Sequence, residues 1–220
     1  MSDFATRLRR ATMVEHREAE NRSFISRLMA GSVSREGFAA LTAQYLFIYR
    51  ELEAAAEAMR TNEHGRAFAD PALFRVKTLE ADLAHLYGPS WEADIVPAGA
   101  TVRYVERLRS FAHDSAPHFI AHHYVRYLGD LSGGQLVGRS VAQTYALGRA
   151  GTRFYSFDGI EDTRTYKIAY RARLDALPFT GEQAATTIDE AQLAFRLNAA
   201  VFSELGTAYP PLPRLPASAR

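Results

Sequence analysis

The stretch His122-His123-Tyr124-Val125-Arg126-Tyr127-Leu128-Gly129-Asp130-Leu131-Ser132-Gly133-Gly134-Gln135 decides how this chain is read. It lies in a segment that otherwise reads as helix. A glycine in a helix interior costs roughly 0.8–1 kcal/mol relative to alanine, so three within six residues need a physical reason. Gly129 and Gly133 stand four apart, which places them on one helix face. With no side chains there, the backbone can lie against something flat and wide. Such glycines also loosen a helix and free carbonyls for other partners. Arg126 and Asp130 put charge beside the bare strip. A lone small-xxx-small pair equally fits close helix packing, so the rest of the chain must decide.

Outward from this stretch the pattern stays helical. Phe38, Leu41, Tyr45, Ile48, Leu52, Ala55 and Met59 alternate steps of three and four, giving one apolar stripe. Leu73, Val76, Leu79, Leu83 and Leu86 repeat it, opened by Asp70-Pro71 and stopped by Gly88-Pro89. Ser34 can cap the helix carrying Phe38. Thr180 and Gln183 have capping-box spacing ahead of a long segment with Ile188, Phe195, Phe202 and Leu205, ended by Gly206. These signals predict helices near 3–30, 34–62, 71–87, 100–113, 115–147, 161–177 and 181–205, with no strand pattern and no repeat. The expected fold is all-α, one domain over 1–206 with a Pro-rich mobile tail over 207–220.

Composition excludes several classes of function. The 220 residues carry a net charge of +1, so no broad basic face for nucleic acid is implied. There is no cysteine, which removes disulfides, zinc–thiolate sites and thiol nucleophiles. Residues 1–10 lack the apolar core of a signal peptide, and no apolar run approaches the roughly 20 residues of a membrane span. A cytoplasmic protein without a membrane anchor is expected.

Among seven histidines, His16 stands out because Glu20 lies one turn on. A carboxylate there can take the second imidazole N–H, orienting the ring and raising the basicity of the other nitrogen, as suits an axial iron ligand. The same spacing also serves a plain surface ion pair. His118 and His122 are four apart and can pair on a metal. The preferred reading of His118, His122 and His123 is histidines with local partners. Lys167 and Arg171 form a cationic pair on one helix face, and Arg9 lies two turns before His16.

The glycine stretch resembles the distal helix of the heme oxygenase family. His16, Ala19, Glu20 and Asn21 resemble the family's proximal motif, and the likeness extends over most of 5–205. The resemblance implies an all-α fold with heme b sandwiched between proximal and distal helices, His16 on the iron and Glu20 beside it. It implies that Gly129 and Gly133 press on the bound ligand, while Asp130, Arg126 and Tyr49 hold a proton relay through ordered water. Arg9, Tyr124, Lys167 and Arg171 would meet the propionates. Ser132, Gly134, Phe195 and Asn198 would line the pocket. The implied activity is oxidative cleavage of heme to biliverdin, CO and ferrous iron. O2 and an external reductant are needed, with heme as both substrate and cofactor and α-meso selectivity expected. The expected donor is a ferredoxin or flavodoxin with its reductase, meeting basic residues such as Arg126, Arg139 and Arg103, and the protein is expected to be a monomer.

A heme carrier without turnover is the alternative, although a carrier has no need of the Asp130 relay. A di-metal carboxylate bundle needs Glu-x-x-His pairs, and only Asp82-x-x-His85 comes near. Thiaminase-like helical enzymes need a cysteine nucleophile.

Overall fold

The computed structural model describes residues 3–20 and 23–212, with the side chains of residues 18–20 and 23 outside that description. Among the described residues there is no strand. The helices are α1 (Phe4–Ala11), α2 (Met13–Glu20), α3 (Ser23–Met29), α4 (Arg35–Ala58), α5 (Val76–Tyr87), α6 (Trp91–Asp94), α7 (Gly99–Phe111), α8 (Ala116–Gly129), α9 (Gln135–Thr144), α10 (Thr163–Asp175) and α11 (Gly181–Ala208).

The long helices form where the apolar stripes run. Every member of the α4 stripe from Phe38 to Met59 is buried. Ser34 Oγ accepts from the Gly37 amide to cap this helix. The 28-residue α11 begins with the expected reciprocal box, in which Thr180 and Gln183 each cap the other's backbone amide. It packs most extensively on α8 and also touches α7, α2 and α3, while α4 lies against α5 and α7. α11 is therefore the spine that holds the segment bearing His16 on one flank and the glycine-bearing helix on another.

Five expectations need correction. The helix predicted over 3–30 is three pieces. Thr12 bends its hydroxyl back onto the Leu8 carbonyl and separates α1 from α2, so the two-turn argument linking Arg9 to His16 does not apply. Asp70 caps a 3₁₀ turn (Pro71–Leu73) rather than an α-helix, and α5 starts only at Val76, whose amide donates to Glu53 at 2.9 Å. The expected loop at 88–99 contains α6. The helix predicted over 115–147 is interrupted by a π-helical turn, Asp130–Gly134, and stops at Thr144. The last helix, expected over 181–205, runs to Ala208, and the Leu212 amide donates to the Ser32 carbonyl at 2.9 Å. The rest of the tail, 213–220, lies outside the described residues.

α7, α8 and α11 meet at a buried carboxylate that the sequence did not advertise. Glu190 on α11 is 4% exposed and takes both Arg107 on α7 (2.8 and 2.5 Å) and His122 on α8 (2.8 Å). Burial opposes its ionisation, but the Arg107 and His122 hydrogen bonds outweigh that and pull its carboxyl down to about 2. A carboxyl lowered on folding contributes stability that is present above its unfolded pKa, about 4.3, and is lost as pH falls toward 2. In acid titrations of unfolding free energy, Glu190→Gln is expected to flatten this window by on the order of 2–3 kcal/mol. Equal slopes in wild type and variant would show that Glu190 is not the group responsible.

Candidate active site

The π turn shapes the central feature. Gly129 has φ −61° and ψ −49°, and Gly134 has φ −55° and ψ −38°, which are conformations open to any residue. Glycine is therefore not needed there for its backbone freedom. What distinguishes Gly129 and Gly133 is space, because no atom lies within 4 Å of the place where a Cβ would sit on either. Both are exposed, as is Ser132 between them, and together they form a bare backbone ledge. Gly134 differs. A Cβ there would lie 3.6 Å from the Asp130 side chain, an ordinary contact rather than open space.

Behind the ledge lies a polar cluster. Asp130 is 8% exposed and its carboxylate turns inward to accept the hydroxyl of the fully buried Tyr49 on α4. Arg126 on α8 donates through Nε to Tyr49 Oη at 3.2 Å and through Nη1 to Asn198 on α11 at 2.7 Å. Its guanidinium lies over the rings of Tyr45 and Tyr49, 4.5 and 4.9 Å from their centroids. Arg126 thus meets Asp130 through the Tyr49 hydroxyl, and Asn198 positions Arg126. Burial raises the Asp130 carboxyl above the ordinary aspartate value, against the pull of Arg126, Tyr49 and Arg75. Two buried donors in this cluster, Arg126 Nη2 and the Tyr127 hydroxyl, have no protein partner. Buried polar atoms of this kind are normally met by ordered water or ligand.

The sequence missed Arg75 and Tyr45. Arg75 is 4% exposed, with its guanidinium wrapped by the carbonyls of Ala72, Leu73, Phe154 and Ser156. The only signal was a cation lodged between Leu73 and Val76 in an apolar stripe. Tyr45 was read as core, and its place one turn before Tyr49 was the available clue.

Cations rim the ledge. Lys167 on α10 donates to the Leu131 carbonyl (3.2 Å) and the Ser132 hydroxyl (3.1 Å), on the loosened turn itself. Arg171 follows one turn on, exposed, with Nη1 at 3.4 Å from the Lys167 carbonyl. Burial raises the Tyr124 hydroxyl above its ordinary value, and the nearby Thr12 side chain and the charges of Arg171 and Arg9 oppose that, so these four residues are neighbours despite the helix break at Thr12. Of the basic residues expected to meet a donor, Arg103 and Arg139 are exposed, but Arg126 is buried and committed to Tyr49 and Asn198.

His16 is exposed on α2, its ring edge-on to Phe195 of α11 at 5.5 Å and 70°. The side chain of Glu20 lies outside the described residues. Other histidines have structural roles. His122 bonds Glu190, His118 bonds Ser115 at 2.7 Å, and His123 bonds Tyr170 at 2.8 Å while burial holds it down to about 3. Among the described residues no cluster of three metal-ligating side chains exists. Asp82, the acid of the nearest di-metal pattern, instead accepts the amides of Arg153 and Phe154 at 2.8 Å each.

An all-helical body thus carries a side-chain-free ledge, with an inward-turned acid behind it and cations at its rim. Comparison with known proteins identifies the class. The model of the heme oxygenase family matches residues 2–204. The heme oxygenase of Porphyra purpurea is 36% identical over 210 residues, covering 94% of this chain and 88% of that protein. Heme oxygenase-1 of the cyanobacterium Synechocystis, solved in complex with heme, superposes with a TM-score of 0.90 at 32% identity, covering 94% of each chain. The Leptospira interrogans heme oxygenase gives 0.88 at 34%, covering 92% of this chain and all of that one. The chain belongs to the heme oxygenase family and is an enzyme of that family. No described helix is long and apolar enough to cross a membrane.

Proposed function

We propose that this protein cleaves heme with O2 and external electrons to biliverdin, CO and ferrous iron, with α-meso selectivity. The bare backbone at Gly129 and Gly133 carries the reading, because a macrocycle can lie against it where side chains would forbid approach. When bound, heme supplies the iron that activates O2 and the carbon that is oxidised.

The protein's part is placement. His16 on α2 would hold the iron, with Glu20 orienting its ring and Phe195 walling that side. Arg9, Tyr124, Lys167 and Arg171 hold the propionates, and Ser132 steadies Lys167. Fixing the propionates fixes ring rotation, which decides the meso edge presented. The ledge at Gly129 and Gly133 would keep side chains off one face of the heme and so fix where the macrocycle lies. Asp130 holds a proton relay at Oδ2 together with the Tyr49 hydroxyl and Arg126. The inward turn of the carboxyl keeps a strong acid off the ledge, and Arg126 Nη2 is a donor left for bound water. Electrons come from a ferredoxin or flavodoxin with its reductase, and the protein works as a cytoplasmic monomer.

Mixing the purified protein with hemin and reduced ferredoxin under air tests this. Biliverdin of the α isomer is expected, with release of CO. A heme spectrum that persists through the incubation would assign the protein to heme carriage instead. In the same assay Asp130→Ala is expected to lower biliverdin yield severalfold and to gain peroxidase-type oxidation of guaiacol. A normal yield from that variant would refute the relay.

A further inference from the structure

On the far side of α9 from the ledge lies an open cavity of about 430 Å³, within the range of small-molecule sites. Helical spacing separates the two faces. Gln135, Gly138, Arg139 and Ala142 line the cavity at steps of three and four. Gly133 belongs to the ledge and Ser140 bonds the Met29 carbonyl of α3 at 3.1 Å, so that face looks elsewhere. The opposite wall is the loop from Arg149 to Ile160 and the first residue of α10, Thr163.

This wall is held firmly. Asp82 pins the amides of Arg153 and Phe154, and Arg75 clamps the carbonyls of Phe154 and Ser156. Gly138 lies so close to Tyr155 that a Cβ there would come within 2.5 Å of its side chain. A cavity whose walls are fixed before binding loses little ordering entropy when it is filled.

Its lining is amphipathic in an ordered way. Phe157, Ile160 and Ala142 give an apolar part, and Gln135, Thr152 and Thr163 supply polar groups. Two arginines stand in the lining and they are not equivalent. Arg149 is paired with Asp158. Arg139 is exposed and makes no ion pair or hydrogen bond with any described residue. Asp162 is committed to capping α10 through the amides of Arg164 and Thr165. The site therefore offers one uncommitted positive charge beside an apolar pocket. We propose that this cavity binds a small organic monoanion, a carboxylate on a ring-sized apolar body, with Arg139 taking the carboxylate.

Naphthoate is a suitable probe, with its neutral amide as control, in calorimetric titrations of the full chain before and after saturation with hemin. At ~0.3 kcal/mol per non-hydrogen atom, naphthoate is expected to bind with a Kd of about 1 mM or tighter. Hemin should leave this unchanged. Arg139→Glu should weaken binding ~10-fold or more, as loss of a charged hydrogen bond does. Ala142→Trp, which fills the cavity, should abolish it. Circular dichroism checks that both variants keep their helices, and unchanged hemin binding checks the other face of α9. The proposal is overturned if naphthoate does not bind, if its amide binds equally well, if hemin competes with it, or if folded Arg139→Glu and Ala142→Trp bind it like wild type.

Discussion

Gly129→Leu is expected to abolish heme cleavage while leaving the protein folded. The two halves of that expectation come from the same observation. Nothing lies within 4 Å of a Cβ at this position, so a side chain starts into open space and the empty protein is expected to keep its packing. The backbone is already in the right-handed helical region, so there is no strain to incur. The milder Gly129→Ala should even stabilise the apoprotein by about 0.8–1 kcal/mol, a rise of roughly 2–4 °C in Tm. Activity should move the other way, because a side chain on the ledge lifts the macrocycle off the backbone. A displacement of ~1 Å can cost ~100-fold in rate, and leucine reaches farther than that. Thermal melts of apoprotein set beside biliverdin formation check both halves. A Gly129→Leu protein with wild-type turnover would mean that the ledge does not face the substrate. A destabilised Gly129→Ala would mean that glycine serves the π turn itself.

Replacing His16 by alanine should lower biliverdin formation by ~100-fold or more, the upper end for loss of a group that tunes a metal centre. Hemin should still bind, more weakly, since the ledge and the cations around Tyr124 and Lys167 are untouched. Its absorption spectrum should change, and added imidazole should restore part of both spectrum and rate. Four of the other histidines are already engaged. His122 is held by Glu190, His123 by Tyr170, His118 by Ser115 and His113 by Glu51. An unchanged spectrum and rate in the variant would place the iron ligand elsewhere.

The long helices were legible because a continuous stripe needs only local periodicity. The α4 stripe and the Thr180–Gln183 box reappear residue for residue in the structure. Breaks were harder to see. Thr12 looks like any polar helix residue until its hydroxyl is found on the Leu8 carbonyl. The glycines pointed to a weak helix, but one extra residue in a turn leaves no periodic mark over so short a span. Groups that act across long sequence separations were the least visible. Arg75 reaches carbonyls some eighty residues away, and Glu190 joins three helices, so neither has a local signature. The glycine string and the cations near it were readable. Which neighbours they meet was not: nothing local shows that Asn198 accepts from Arg126 or that Gly134 adjoins the Asp130 side chain.

The π turn has a consequence for length. One surplus residue advances the phase of everything after it by about 100° about the helix axis. Upstream, Arg126 looks toward α11; downstream, Gly138 nestles against Tyr155. A chain shortened by a single residue anywhere between Asp130 and Gly134 would become an unbroken rod that cannot satisfy both neighbours at once. The deletion would swing either the inner acid or the Tyr155 seat out of alignment.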